Sequence, residues 1–350
     1  MSAQRRVLVT GHRGYVGAVM APAFREAGFD VVGMDVDFFR DCDLFPLADI
    51  PSIEKDIRDV EASDLEGFDA VVHLAALSND PIGNLNEAWT ADINVDGTVR
   101  LAEAAREAGV GRFLFSSSCI MYGMAEAGAV DEDSPLNPQT EYARSKVVAE
   151  RALSARATPS FSPVYLRNGT IFGVSPRMRF DTVLNNLTGM AVTTGAITVM
   201  SDGTPWRPLV HVRDVARAFI AVVDAPVEAV HDQAFNLGAD ALNHQVRDLA
   251  HAVQRAVPEA SLEIRAVPDA DQRTYRTSFA KFARTFPTFR FERNADDGAV
   301  ELTAAFRDLG LTYEAFTSDR FTRLKRLGRL IEDGSLDDAL RWRIDEGMVA

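Results

Sequence analysis

The chain has 350 residues, enough to bury about three quarters of the surface its unfolded form would expose and to build one large or two smaller domains without staples. Its 37 basic and 51 acidic residues leave a formal charge of −14, which excludes a general affinity for nucleic acid or anionic membrane while allowing a local basic pocket to take a phosphate. Two cysteines, Cys42 and Cys119, fit no disulfide framework and no metal-ligand spacing, so a reducing cytoplasm is expected, and no structural metal. MSAQRRVLVTG runs directly into a strand pattern without a signal-peptide apolar region, and no stretch reaches the roughly 18 apolar residues of a membrane span.

In chain order, RVLVTG, DVVGMD, AVVHLAA and RFLFSS read as short β-branched strands, with helix patterns in GAVMAPAFREAG and TVRLAEAAREAG between them. That alternation predicts an α/β fold with a doubly wound parallel sheet. Between the first strand and first helix, VLVTGHRGYVGAVM sets Gly11, Gly14 and Gly17 in a G-x-x-G-x-x-G turn. Such a turn permits positive φ, lets backbone approach a pyrophosphate, and aims free N–H groups of a helix N-terminus at the anion, as in Rossmann-type folds. Asp35 ends the second strand, 18 residues after Gly17. A carboxylate there accepts both adenosine ribose hydroxyls and repels a 2′-phosphate, which favours NAD over NADP. Arg13 is a cation inside the turn that could hold such a phosphate instead.

RFLFSS continues into FSSSCIMYG, then an irregular stretch, GMAEAGAVDEDSPLNPQT, and a clear helix, EYARSKVVAERALSAR. Tyr142 and Lys146 stand four apart on one face of that helix. A phenol beside an ammonium becomes a useful acid or base near neutral pH, and Ser118 at the strand end can share the substrate's proton. An amphipathic tyrosine with a solvated lysine is the alternative. A nucleophilic Ser118 would require a G-x-S-x-G elbow and a histidine partner, which the local sequence lacks. SPVYLRNGTIFG reads as the next strand and its exit loop, and LVHV with DVARAFIAVVDA as another strand and a helix with Asp214 as N-cap. Past residue 236 the helices VRDLAHAVQRAV, AVELTAAFRDLG and FTRLKRLGRLI mix with short strands. Residues 1–174 plus about 208–235 are therefore assigned to a Rossmann-type dinucleotide domain, and 175–207 plus 236–350 to a smaller α+β substrate domain.

TGHRGYVG, HLAALSNDP, INVDGT, FSSSCIMYG, YARSK, LRNGTIFG, WRPLVHVRDVARA and FNLG, in this order, resemble the extended short-chain dehydrogenase/reductase family, and within it the nucleotide-sugar epimerases and dehydratases. The resemblance implies NAD as cofactor and a nucleotide-diphosphate sugar as substrate. It gives Tyr15 and Val16 backbone contacts to the pyrophosphate, places Asp56 and Ile57 beside the adenine, and lines the cofactor cleft with Leu74, Ala75 and Ala76. Asn94 would brace the active-site backbone within the cofactor site, and Lys146 would also hold the nicotinamide ribose. On the substrate side it implies Arg207 at the diphosphate, with Asn168 and Thr170 facing the sugar, although the family often has Asn where this chain has Thr170. Arg273, Tyr275 and Arg276 are either nucleotide contacts or a solvated loop, and Trp206 is read as packing. A homodimer is implied through a four-helix bundle using TVRLAEAAREAG and KVVAERAL.

In the resembled family a hydride leaves the sugar carbon for NAD while Tyr142, helped by Ser118, takes the hydroxyl proton. The 4,6-dehydratases carry Asp-Glu after the Ser/Thr, whereas this chain has Cys119 and Ile120; the cysteine used in 3,5-epimerisation would stand at Ile120. A 4-epimerase needs no further acid–base group and is the expected activity. A 4-ketoreductase, or a dehydratase with Cys119 as proton donor at the substrate, is the alternative within the family, and a non-catalytic NAD sensor or scaffold the alternative outside it. Cys119 packed as a small hydrophobe behind Ser118 is the competing reading of that residue.

Overall fold

The computed structural model describes residues 4–78, 86–124, 128–267 and 273–343. Seven strands form the central sheet: β1 (Arg6–Thr10), β2 (Asp30–Asp35), β3 (Ser52–Glu54), β4 (Ala70–His73), β5 (Arg112–Ser118), β6 (Ser162–Asn168) and β7 (Gln233–Leu237). They run in the order β7-β6-β5-β4-β1-β2-β3, and every neighbouring pair is parallel. The winding direction reverses between β1 and β4, so a crevice opens beyond the carboxyl ends of these two strands. That sheet is the α/β doubly wound arrangement the sequence predicts.

Near-continuous apolar strands such as Val7–Val9 and Phe113–Phe115 require cover on both faces, and both faces are covered. On one side Leu101, Ala105, Ala149 and Leu153 come from the helices Gly97–Glu107 and Glu141–Ser154. On the other, Met20, Phe24, Val215 and Phe219 come from Gly17–Glu26 and Val212–Asp224. The N-cap of Val212–Asp224 is His211, whose ring accepts from the Arg213 N–H, and not Asp214. Asp214 is buried within the first turn, where it accepts from the Glu292 and Arg293 N–H groups and pairs with Arg217.

A third apolar cluster belongs to a separate layer in which Leu187, Val253 and Phe306 join the helices Val183–Thr194, Val246–Ala256 and Ala295–Asp308. This layer stands over the carboxyl ends of the strands, tied to the sheet through Thr170–Phe172 and Trp206–His211. The chain end packs against the central sheet. Leu327 and Leu330 of the helix Arg323–Glu332, followed by Leu336 and Leu340, are buried in the core of the central sheet with Phe38 and Phe68. The physical reason is the apolar stripe of that helix, which finds its partner face beside β2.

Three helical stretches, Glu87–Thr90, Ala91–Asp96 and Gly97–Glu107, follow one another without a gap, and the middle one is a π-helical turn. It brings Ile93 and Asn94 inward beneath the crevice.

Candidate active site

A cleft of about 800 Å³ opens at the switch point and extends between the sheet and the third layer. At its floor Gly11 has φ +72°, and a Cβ there would meet the Ala75 nitrogen at 2.7 Å. A Cβ on Gly17 would come within 2.1 Å of the Gly11 carbonyl oxygen. Only glycine fits these positions, and the close approach leaves the N-terminus of Gly17–Glu26, free of acidic residues in its first turn, facing the cleft. The cradle has the shape and polarity for a dinucleotide pyrophosphate. Tyr15 anchors it from behind: its hydroxyl donates to the Gly173 carbonyl (2.8 Å) and accepts from Asn185 (3.1 Å), while its own carbonyl accepts from Ser175 (2.7 Å). Burial raises the Tyr15 phenol above its ordinary value, so it stays neutral.

Asp35 is fixed by two backbone donors, Arg13 N–H (2.9 Å) and Asp37 N–H (2.8 Å). Arg13 does not stand free to hold a second phosphate, because its guanidinium pairs with Glu54 (3.0 Å) and Asp37 (3.3 Å). Gly14, Val16, Leu74, Ala75 and Ala76 line the cleft, as do Asp56 and Ile57. The Asp56 carboxylate caps the short turn Ile57–Asp59 and pairs with Arg58 at 2.7 Å, so it serves the local backbone as well as the cleft.

Asn94 lies behind the cleft wall rather than on it. Its side-chain oxygen accepts from Leu77 N–H (2.8 Å), and its amide donates to the Leu77 carbonyl (3.0 Å) and Ser145 (3.2 Å). Asn94 thus braces the Leu77 backbone, and the cleft residue of that turn is Ile93. His73, a residue for which sequence reasoning gave no role, bridges Thr10 (2.7 Å) and Thr98 (2.8 Å). Burial, reinforced by Lys146, pushes its imidazole down to about 3, so it is a neutral strut between sheet and helix. A polar residue closing the buried run AVVH was the available signal.

Ser118, Tyr142 and Lys146 share one wall of the cleft. Ser118 ends β5, where its hydroxyl accepts from the Ile120 N–H (3.3 Å). Thr140 caps the next helix through Ala143 N–H (3.2 Å) and thereby sets Tyr142 on its first turn. Lys146, buried, donates to the Ser116 carbonyl (2.8 Å) and lies 4.5 Å from the Phe115 ring and 5.6 Å from that of Tyr142. Burial brings its ammonium down to about 7 against an opposing pull from Glu150.

Cys119 does not line the cleft. It is fully buried, its thiol donates to the Arg167 carbonyl (3.1 Å), and burial pushes it up to about 12. The helical turn after Ser118 rotates Cys119 into the core and presents Ile120 to the cleft.

Asn168 and Thr170 both line the cleft. The Asn168 amide donates to Ser116 Oγ and the Ser117 carbonyl, both at 3.0 Å, and among the described residues its buried oxygen has no donor. Arg207 and Arg273 stand together at the far end, where Arg207 donates to the Trp206 carbonyl (2.9 Å) and to that of Arg273. Tyr275 joins the wall, whereas exposed Arg276 stacks on Trp206 at 5.4 Å outside it. Asn79, Asp80 and Pro81 of HLAALSNDP, Ala125 to Ala127 of the irregular stretch, and Asp271 and Gln272 before Arg273 lie outside the described residues. Sequence reasoning missed three cleft arginines, Arg177, Arg179 and Arg323. Arg177 pairs with Asp37 (2.7 Å) and Asp43, and Arg179 grips Asp181 through two bonds of 2.8 and 2.9 Å.

A glycine cradle at the switch point, an acid closing β2, and Ser, Tyr and Lys converging from a strand end and the next helix define a dinucleotide-dependent enzyme of the extended short-chain dehydrogenase/reductase class. A family model described as "NAD dependent epimerase/dehydratase family" matches residues 7–238, and the chain belongs to that family. Its cofactor is NAD. A UDP-glucose 4-epimerase of Corynebacterium glutamicum is 32% identical over 251 residues, covering 67% of this chain and 75% of the relative. Another, from Mycolicibacterium smegmatis, is 30% identical over 262 residues, covering 72% and 82%. Among solved structures, an NAD-dependent NDP-hexosamine 5,6-dehydratase, TunA, is 25% identical with a TM-score of 0.78, covering 87% of this chain and 98% of that one. No helix of the described residues is long and apolar enough to cross a membrane.

Proposed function

We propose that this enzyme is a nucleotide-sugar 4-epimerase, acting on a sugar carried by a nucleoside diphosphate. One observation carries the reading: the residue beside Ser118 in the cleft is Ile120, with Cys119 turned into the core, so neither position after the serine offers the acid and base that elimination of water from a sugar requires. The UDP-glucose 4-epimerase relatives support the same reading and make UDP-hexoses the first substrates to try.

NAD, which the Gly11, Gly14 and Gly17 cradle and Asp35 would hold, would supply a reversible hydride acceptor for the sugar carbon. Tyr142 removes the proton of the C4 hydroxyl through the Ser118 hydroxyl or directly, so that the C4–H and O–H bonds break together and a ketone forms. In its charged form Lys146, 5.6 Å from the Tyr142 ring, favours the deprotonated phenol. The 4-keto sugar then turns over while Arg207 and Arg273 hold the diphosphate. Tyr142 would then return its proton to the sugar oxygen, and with the hydride restored on the other face the epimer would form with no net redox change. Asn168, which lines the cleft, would face the sugar.

The reading extends to a cytoplasmic homodimer, supported by the two unpaired cysteines and by Val148, 45% exposed on the helix Glu141–Ser154 that would enter a four-helix bundle. A second reading, dehydration, has the likeness to TunA in its favour. Incubation with a panel of UDP- and dTDP-hexoses, followed by mass measurement and separation of stereoisomers, separates the two. A new stereoisomer at unchanged mass is expected; loss of one water, or no change in any sugar nucleotide, would overturn the epimerase reading. Tyr142→Phe should lower turnover by roughly 10²–10⁴-fold while the protein keeps its NAD, whereas a sensor or scaffold would be indifferent to that change.

A further inference from the structure

The chain end after residue 322 lies beyond the matched family region, yet it reaches the cofactor half of the cleft. Arg323 opens the helix Arg323–Glu332, is 7% exposed, and lines the cleft beside the loop that follows β2. Its guanidinium stacks on Phe39 at 3.8 Å and donates to the Arg177 carbonyl at 3.1 Å. Arg177 and Arg179 have carboxylate partners; among the described residues no carboxylate pairs with Arg323. Asp181, whose charge acts on Arg323, is already held by two hydrogen bonds from Arg179.

A buried, unpaired guanidinium is costly unless an anion meets it, and the aromatic stack satisfies only its face. Burial, with repulsion from Arg179 and Arg177, brings Arg323 down to about 9. An anion in the cleft would reverse that strain.

The segment behind Arg323 is fastened to the residues that shape the adenosine end. The Trp342 indole donates to the Val36 carbonyl (2.6 Å), one residue past Asp35. Arg58 donates to the Ala339 and Leu340 carbonyls (2.8 and 3.1 Å), and Arg341 reaches back to Asp56 (3.3 Å). Arg323 thus lies with the β2 loop, while Arg207 and Arg273 stand at the end of the cleft lined by Pro205 and Tyr275.

We propose that residues 323–342 form a strap over the cofactor end of the cleft, in which Arg323 is a diphosphate contact that helps retain the dinucleotide. The strap holds its position through backbone carbonyls and apolar anchors, so that Arg323 is presented to the cleft without being neutralised from its own side.

The test is calorimetric titration of full-length, NAD-stripped protein with three probes: ADP, adenosine and UDP. Arg323→Gln should weaken ADP by roughly tenfold, the loss of one charge-assisted contact, and leave adenosine and UDP unchanged. Equal losses for ADP and adenosine would mean a merely structural role, and a loss confined to UDP would give Arg323 to the substrate; either overturns the proposal, as does unchanged ADP affinity. Should the glutamine variant fail to fold, Arg323→Lys keeps the charge and loses the planar fork. It is then expected to bind ADP several-fold less tightly with adenosine unaffected, and unaltered ADP binding would refute the assignment. Because none of these probes is turned over, the outcome is independent of whether the enzyme epimerises or dehydrates its sugar.

Discussion

Replacing Lys146 by methionine should abolish turnover and at the same time stabilise the cofactor-free protein in mild acid. Methionine has nearly the same reach and adapts to irregular apolar surroundings. Lys146 is 3% exposed, and burial takes its ammonium from the ordinary 10.5 to about 7 while Glu150, committed to Arg167, pulls weakly the other way. That gap corresponds to about 5 kcal/mol of penalty on the charged form in the native state. Between about 7 and 10.5 the unfolded chain binds a proton that the native protein does not, so this group makes native stability rise with pH across that window. Below about 7 both states carry the proton and the whole penalty stands. Methionine removes it, but also removes the bond to the Ser116 carbonyl and the contact with Phe115, together worth about 2–3 kcal/mol. A net gain of about 2 kcal/mol at pH 6 is therefore expected, turning into a small loss near pH 10. Urea denaturation of both proteins, freed of NAD, at the two pH values measures the difference. Equal differences at pH 6 and pH 10, or a variant that is the weaker of the two at pH 6, would refute the reasoning.

Cys119→Ala should keep kcat within about twofold, since the thiol faces the core, while the small cavity costs about 1–2 kcal/mol of stability in a denaturant melt; a rate loss beyond about 100-fold would return Cys119 to the chemistry. Gly17→Ala should yield protein without bound NAD, because the new methyl would stand 2.1 Å from the Gly11 carbonyl oxygen. The absorbance of NAD released from the purified variant reads this directly, and a full complement would show that the turn relaxes more than its packing suggests.

The grouping of Ser118, Tyr142 and Lys146 on one cleft wall was legible in the sequence because each part is tied to a local pattern. The spacing of Gly11, Gly14 and Gly17 needs only a turn; Tyr142 and Lys146 need only one helix; Ser118 needs only the end of an apolar run. What stayed hidden depends on which distant segments meet. The direction in which Cys119 points is set by a single helical turn after the strand, which spacing does not specify. Asn94 was recognised as a brace, but only the fold shows that the wall itself is made by its neighbour Ile93. Arg323 comes from a segment far from Arg177 and Arg179, and Arg177 pairs with Asp37 and Asp43, which no short window contains. One signal was available: in FTRLKRLGRLI, Arg323 shares a helical face with Leu327 and Leu330, and a cation on an apolar stripe announces either a buried partner or a ligand. The same stripe explains why residues 323–343 joined the sheet rather than the substrate layer.

The π-helical turn Ala91–Asp96 acts as a gear change in one continuous helix. A regular α-helix advances about 100° per residue, so one additional residue swings everything after it by more than a quarter turn relative to what comes before. Upstream of the turn, Trp89 offers its indole N–H to the Asp338 carbonyl of the chain end. Downstream, Leu101 and Ala105 face the sheet. A uniform helix would have to choose between the two faces. The extra residue frees the first turn to hold the strap while the remainder packs on the sheet, and Asn94, in the widened turn, fastens the active-site backbone between them. Loss of a single residue from this stretch would therefore disconnect three regions at once, although no catalytic group would have been touched.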